Sequence, residues 1–172
     1  MASFDATLWQ ERALKRLERS SEKSTQRRTR AKEQYDRDLR AISALTKLID
    51  WCHERTITVD FKKTFAATLD PEKCSIVISG RASPEIQVGW LIHECGHWLI
   101  DNCGDKRIRC GVSGSEDERS LIARVDVVHE EFEAWHRGEK LAKRLRVPYN
   151  KARFEKQRAD ALNSYFKWAG RY

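Results

Sequence analysis

The segment between Ser83 and Gly104 constrains the fold more than any other, because it predicts a helix with apolar residues on nearly every side. Ser83 is a typical helix cap, Pro84 is favoured in a first turn, and Gly104 is a typical stop, so we expect a helix that runs to about Cys103. A helix that is apolar all round has to be buried, which makes this one the predicted centre of the core. Its apolar residues are Ile86, Val88, Trp90, Leu91, Ile92, Cys95, Trp98, Leu99 and Ile100.

The other patterns predict an α+β fold that is mainly helical. Residues 56–61 alternate between polar and apolar, and residues 74–79 form a second short strand candidate, so we expect a small antiparallel or mixed sheet. A capping box at Ser115–Glu118 opens a helix with apolar steps of three and four that ends near Val147. A last helix is predicted over residues 150–169.

The N-terminal part of the chain reads as one long charged helix, from about residue 8 to residue 53. Between residues 18 and 33 almost nothing is apolar, so this stretch has no face to bury. Residues 42–53 are apolar enough to join the core. The sequence therefore predicts a charged helical extension over residues 1–41 and a folded domain over residues 42–172.

Composition excludes several classes of protein. The 172 residues include six Trp and six Phe, which argues for a packed core and against general disorder. No run approaches the 18 apolar residues of a membrane span, so we expect no membrane association. The first residues do not resemble a secretory signal, and five cysteines are an odd number, which favours reduced thiols. These features predict a cytoplasmic protein.

The predicted central helix carries His93-Glu94-Cys95-Gly96-His97, which matches the pattern H-E-x-x-H. Histidines at positions i and i+4 lie one turn apart on one face, so both imidazoles can reach a single Zn²⁺ ion. Glu94 lies between them, where a carboxylate can take a proton from the water that the metal activates. Such groups are unfavourable in an apolar helix unless they have partners, and a metal would supply them.

A catalytic zinc site needs a third protein ligand, and several glutamates follow the motif. Glu133 falls on the polar side of the next predicted helix and is expected to be solvated. Glu130 and Glu131 both fall nearer the apolar side. Periodicity leaves these two residues as alternatives.

A resemblance to a known family adds to the prediction of a zinc site. The motif, a strand before it and a glutamate-bearing helix after it resemble the gluzincin-type zincin metallopeptidases. In that group the third ligand is a Glu with a small residue three positions on, which Glu131 and Ala134 match. Residues 131–142 also resemble small metallopeptidase-like proteins encoded by bacteriophages, which would place this chain in a host bacterial cytoplasm.

The resemblance implies one Zn²⁺ ion per chain on His93, His97 and Glu131, with Glu94 as the catalytic base. The substrate would be a protein or peptide, lying in extended form along the strand at Ser75–Ser79. An oxyanion donor is also expected, with His129, His136, Tyr149 and several arginines as open candidates. Asp101, one turn past His97, is a candidate for orienting that histidine or for a solvated helix end.

The charge distribution supports an alternative in which a weak or inert zincin-like protein binds nucleic acid or a host protein. Residues 1–50 carry a net charge of +4, residues 51–138 carry −4, and residues 139–172 carry +7. The SprT group of zincins, which shares the His-Glu-Cys-x-His string, acts on proteins attached to DNA. That group takes a His soon after the motif as its third ligand, whereas His129 lies 32 residues away. The oligomeric state stays open, since the long helix could pair with a second copy.

Overall fold

The computed structural model describes residues 6–65, 67–102 and 120–170, and the chain divides into two compact units, residues 1–39 and 40–172. The structure is 71% helical, with four helices and one three-stranded mixed sheet in the described residues, which confirms the mainly helical α+β prediction. In chain order the elements are α1 (Ala6–His53), β1 (Thr58–Lys62), β2 (Thr68–Asp70), β3 (Ser75–Ser79), α2 (Pro84–Asp101), α3 (Leu121–Arg144) and α4 (Lys151–Ala169).

Helix α1 changes character along its length. All side chains from residue 21 to residue 36 are exposed, as their polar composition predicts. Within the second unit, small and apolar residues recur at steps of three and four and are buried: Ala41, Ala44, Leu45, Leu48 and Cys52. The last turns of α1 therefore belong to the core of residues 40–172. No helix in the described ranges is both long enough and apolar enough to cross a membrane.

The sheet has the order β1-β3-β2, so β3 is its central strand. Strand β1 pairs with β3 in parallel, with Thr58 opposite Ser75, and β2 pairs with β3 antiparallel, with Thr68 opposite Val77. Ile76 and Ile78 of β3 are fully buried. Two strands lie close to their predicted positions, but β2 was not predicted, because three residues are too short for a recognisable alternation.

Helix α2 begins at Pro84 after Ser83, as predicted, although the Ser83 hydroxyl makes no capping hydrogen bond. Its burial confirms it as the central helix, with Leu91, Ile92 and Cys95 fully buried. The predicted end at Cys103 and Gly104 lies outside the described residues.

Helices α3 and α4 each begin with a side-chain cap. The Ser120 hydroxyl accepts a hydrogen bond from the Ala123 N–H at 3.1 Å, and Asn150 Oδ1 accepts one from the Arg153 N–H at 3.2 Å. Because α3 begins at Leu121 with Ser120 as its cap, the prediction that a capping box at Ser115–Glu118 opens this helix is wrong; residues 115–118 themselves lie outside the described part of the chain. Helix α3 ends at Arg144, three residues before the predicted end, and Arg146 then takes a positive φ of 53°.

Candidate metal centre

The two motif histidines lie together on one face of α2, as their spacing predicts. Their Nε2 atoms are 3.2 Å apart, and their rings meet edge to face with centroids 4.6 Å apart. His93 is buried, and the His97 side chain is 17% exposed. The helix therefore presents two ring nitrogens toward a single point.

Helix α3 reaches this point because glycines let it pack very closely against α2. A Cβ atom added to Gly96 would lie 1.9 Å from the carbonyl oxygen of Ala134, and one added to Gly138 would lie 2.1 Å from that of Ile92. No larger side chain fits at either position without displacing backbone. The contact at Ala134 gives a physical reason for a small residue three positions after Glu131, because the backbones of the two helices touch there.

This packing brings Glu131 to the histidines. Its Oε2 lies 3.2 Å from Nε2 of His93, and its Oε1 lies 3.4 Å from Nε2 of His97. One ligand atom from each of the three residues lies within 4.8 Å of the others, so this buried group could hold a metal ion. The ligands of a tetrahedral ion with bonds of about 2.0–2.2 Å are about 3.3–3.6 Å apart, which is close to these separations.

The electrostatics of the three residues also fit a cation. Glu131 Oε2 is buried, and it faces Nε2 of His93 at 3.2 Å. Burial alone would raise the pKa of Glu131, but hydrogen bonds from His93 and His97 lower it to about 2. Burial would likewise lower the pKa of His97, but hydrogen bonds to Glu130 and Glu131 raise it to about 10. In the metal-free protein the proton on His97 therefore supplies positive charge beside these carboxylates. A bound metal ion would supply that charge instead.

The structure gives the neighbouring glutamates, which periodicity could not separate, two different places. Glu131 joins the histidines, whereas Oε1 of Glu130 lies 3.2 Å from Nδ1 of His97, on the far side of that ring. A carboxylate on the second ring nitrogen fixes the ring orientation and makes the first nitrogen a better ligand. The carboxylate that contacts Nδ1 of His97 is thus Glu130, while Asp101, which the sequence offered as a candidate, also lines the cleft.

His93 is held differently. Its ring stacks on the indole of Trp135, with centroids 4.3 Å apart and an interplanar angle of 22°, and Trp135 is 2% exposed. Nδ1 of His93 is buried and has no hydrogen-bond partner in the described part of the chain. An aromatic surface therefore orients the His93 ring, whereas a carboxylate orients the His97 ring.

Glu94 lies in the same cleft as the three candidate ligands but is not one of them. It is 6% exposed. Burial raises the pKa of its carboxyl group, against the lowering influence of His93, His97 and the backbone N–H of Leu69. A buried carboxyl group with a raised pKa binds a proton more readily than an exposed one, which is the property that a general base needs.

The cleft above these residues has a volume of about 600 Å³. Helices α2, α3 and α4 and the strand β2 all contribute to its walls; the residues from β2 and its flanks are Ala67, Thr68, Leu69 and Pro71. Strand β2 is an edge strand, so its outer side is free of strand pairing within the described sheet. The expectation that an extended substrate lies along Ser75–Ser79 is wrong, because β3 is the central strand and pairs with β1 and β2.

Of the predicted oxyanion donors, His129, His136 and Tyr149 do not line the cleft. His136 stacks on Phe132, with ring centroids 6.5 Å apart, and Tyr149 donates a hydrogen bond to Glu139 at 3.2 Å. His129 is exposed. Tyr165, which sequence reasoning did not single out, lines the cleft instead. Burial, followed by the charge of Glu131 and a hydrogen bond to it, raises the pKa of this phenol, so it stays protonated at neutral pH.

The signal that could have pointed to Tyr165 is its spacing from Leu162 and Ala169, which puts the three residues on one side of α4. That pattern shows only which side of α4 packs inward, not what it packs against.

Of the cysteines, Cys95 is a buried core residue as predicted, with its sulfur 3.6 Å from that of Cys52. Cys103 and Cys110 lie outside the described residues. Comparison with protein-family models, curated proteins and solved structures finds no match for this chain.

Proposed function

We propose that this chain is a zinc-dependent peptidase. The observation that carries the proposal is the convergence of His93, His97 and Glu131 on one point, with the buried carboxyl group of Glu94 beside them in an open cleft. Two imidazoles and one carboxylate are a donor set that catalytic zinc ions use, with a fourth position left for water or substrate. When bound there, Zn²⁺ would supply the Lewis acidity that lowers the pKa of water and polarises a carbonyl group.

Glu94 is the proposed general base. Its carboxylate takes the proton from the attacking water and then passes it to the amine that leaves, so the residue ends the cycle as it began. The raised pKa supports both halves of this role, because the group binds a proton more readily than an exposed glutamate does. General acid–base catalysis of this kind typically contributes about 10²–10⁴-fold to a rate.

The edge strand β2 and Tyr165 are the proposed contacts with substrate. An extended peptide lying beside Thr68 and Leu69 would add a strand to the sheet through backbone hydrogen bonds, and the cleft side of β2 is where such a strand would meet Glu94. The protonated hydroxyl group of Tyr165 would donate a hydrogen bond to the oxyanion that develops on the peptide carbonyl.

The test measures zinc content and hydrolysis in the same preparations. Wild type, Glu94→Gln, Glu131→Ala and Tyr165→Phe are loaded with zinc, dialysed and analysed for metal, and each is incubated with fluorophore-labelled unfolded casein. We expect about one zinc per chain in wild type, Glu94→Gln and Tyr165→Phe, and much less in Glu131→Ala. Hydrolysis should fall by at least about 100-fold in Glu94→Gln and by about 100-fold in Tyr165→Phe.

Glu133→Gln is the matched control, because Glu133 is on the same helix as Glu131 but pairs with Arg137 at 3.1 Å. It should keep both zinc and activity. A wild-type protein that holds no zinc after reconstitution would refute the metal site. Zinc retained together with equal hydrolysis by wild type and Glu94→Gln would refute the proposed catalytic role.

A further inference from the structure

The cations at the two basic ends of the sequence differ in whether acidic residues pair with them. In α4 the cations are largely paired within the fold: Lys156 lies 2.7 Å from Asp160, Arg153 lies 3.0 Å from Glu85, and Arg158 bonds Glu155. The aromatic residue Phe154 of the same helix is buried. Much of the positive charge on α4 is thus already compensated.

Residues 23–32 of α1, here called the basic segment, contain five cations and no acidic residue. Every side chain in the segment is exposed. None of the five cations forms an ion pair or a side-chain hydrogen bond with any residue that the structure describes. They are Lys23, Arg27, Arg28, Arg30 and Lys32.

The spacing of these cations is unfavourable for a helix on its own. Lys23 and Arg27, and likewise Arg28 and Lys32, are four residues apart, so like charges face each other on consecutive turns. A surface helix usually alternates the signs of its charges at this spacing. A polyanion bound along the basic segment would relieve this repulsion.

We infer that the basic segment binds the phosphate backbones of duplex DNA. Lys23, Arg27 and Arg30 form one row along the helix, and Arg28 and Lys32 form a second row on roughly the opposite side. A helix of about 10–12 Å diameter fits a major groove of about 12 Å width, whose two walls are both lined with phosphates. Cations on two opposite sides of one helix match that arrangement.

The surrounding composition favours DNA over other polyanions. Residues 21–34 contain no apolar side chain larger than alanine, so the helix has no apolar face to insert into a membrane surface. The same residues contain no aromatic ring, so they cannot stack on the bases of a single strand. The major groove of duplex RNA is too narrow and deep for side chains to enter.

The inference is tested by fluorescence anisotropy of a labelled 20-base-pair DNA duplex with the full chain, at several KCl concentrations. If all five cations reach phosphates, log K should fall with log[KCl] at a slope of about −4.5. The triple variant R27Q/R28Q/R30Q should reduce the slope by about 3 and lower the affinity at 50 mM KCl by at least about 100-fold. Circular dichroism should show no loss of helix, because the substitutions remove repulsion.

The matched control removes three exposed cations from α4, in the variant K151Q/K156Q/K167Q, which has the same net charge as the triple variant. It should change the DNA affinity by less than about threefold, and an equal loss in both variants would overturn the inference. No binding of wild type at 20 mM KCl would also overturn it. So would tighter binding to duplex RNA, to polyglutamate or to vesicles of phosphatidylserine than to the DNA duplex.

Discussion

The two histidines of the candidate metal centre share a helix face but are held by different physics. His97 has a carboxylate, Glu130, 3.2 Å from its outer ring nitrogen, whereas His93 lies on the face of Trp135 and its outer nitrogen has no partner in the described residues. A charged hydrogen bond raises the basicity of a ring, whereas a stack fixes only its orientation. The difference teaches that the basicity of His97 depends on a neighbouring charge, whereas the position of His93 depends on packing.

The largest effect that we expect is a dependence of zinc affinity on pH, because zinc binding has to displace the proton from His97. Metal binding requires a neutral His97, whose pKa is about 10 in the metal-free protein. The apparent zinc affinity should therefore rise by about tenfold per pH unit between pH 7 and pH 9, as one proton is displaced for each ion bound. Competition with a zinc chelator of known affinity measures this slope, and a flat profile would contradict it.

The same pKa predicts how the metal-free protein responds to pH. The pKa of His97 is raised above its ordinary value of 6.5, so its contribution to stability is complete below pH 6.5 and is lost as the pH rises toward 10. The pKa of Glu131 is lowered, so its contribution is complete above about pH 4.5 and is lost as the pH falls toward 2. Thermal denaturation of the metal-free protein should show both trends.

Gly96→Ala should disturb both sides of the comparison at once. The added methyl group would meet the Ala134 carbonyl oxygen at 1.9 Å, so α2 and α3 must separate. We expect a loss of about 1–3 kcal/mol in the free energy of unfolding, together with weaker zinc binding. Chemical denaturation measures the first effect. Gly80→Ala is the control, since an added Cβ there meets its nearest atom at 3.5 Å, and an equal loss in both variants would refute the role of the crossing.

Glu130→Gln tests the His97 side alone. The amide keeps the size of the side chain but removes the charge that supports the ring, so zinc affinity should fall by about 10–100-fold. The pH slope should also become shallower, because this carboxylate raises the pKa of His97. Unchanged affinity and slope would show that Glu130 only neighbours the site.

Trp135 tests the His93 side and should give the smallest effect. Trp135→Phe keeps an aromatic surface under His93 and should leave zinc affinity nearly unchanged. Trp135→Leu removes the stack and should lower zinc affinity by about 2–10-fold, in line with the typical strength of an aromatic pair. The two variants are compared by the same chelator competition. A loss in Trp135→Phe as large as that in Glu130→Gln would remove the distinction between the two histidines.

Much of the site followed from local spacing. His93 and His97 are four residues apart in a helix, so their shared face is fixed by helix geometry before any tertiary contact forms. The all-round apolar character of residues 86–100 likewise predicted the central buried helix, which the structure confirms. Short elements were harder to predict. Strand β2 has only three residues, and it is defined by its pairing with β3.

The sequence by itself determined the mainly helical α+β fold, the common face of the two histidines and the exposed basic segment, because each depends on residues close together in the chain. Only the tertiary structure decided that Glu131 faces the histidines while Glu130 supports His97, that β2 edges the cleft, and that Tyr165 enters it. These features depend on how α3 and α4 pack against α2. Periodicity gives the buried side of a helix, but the contact between Gly96 and Ala134 sets which atoms meet there.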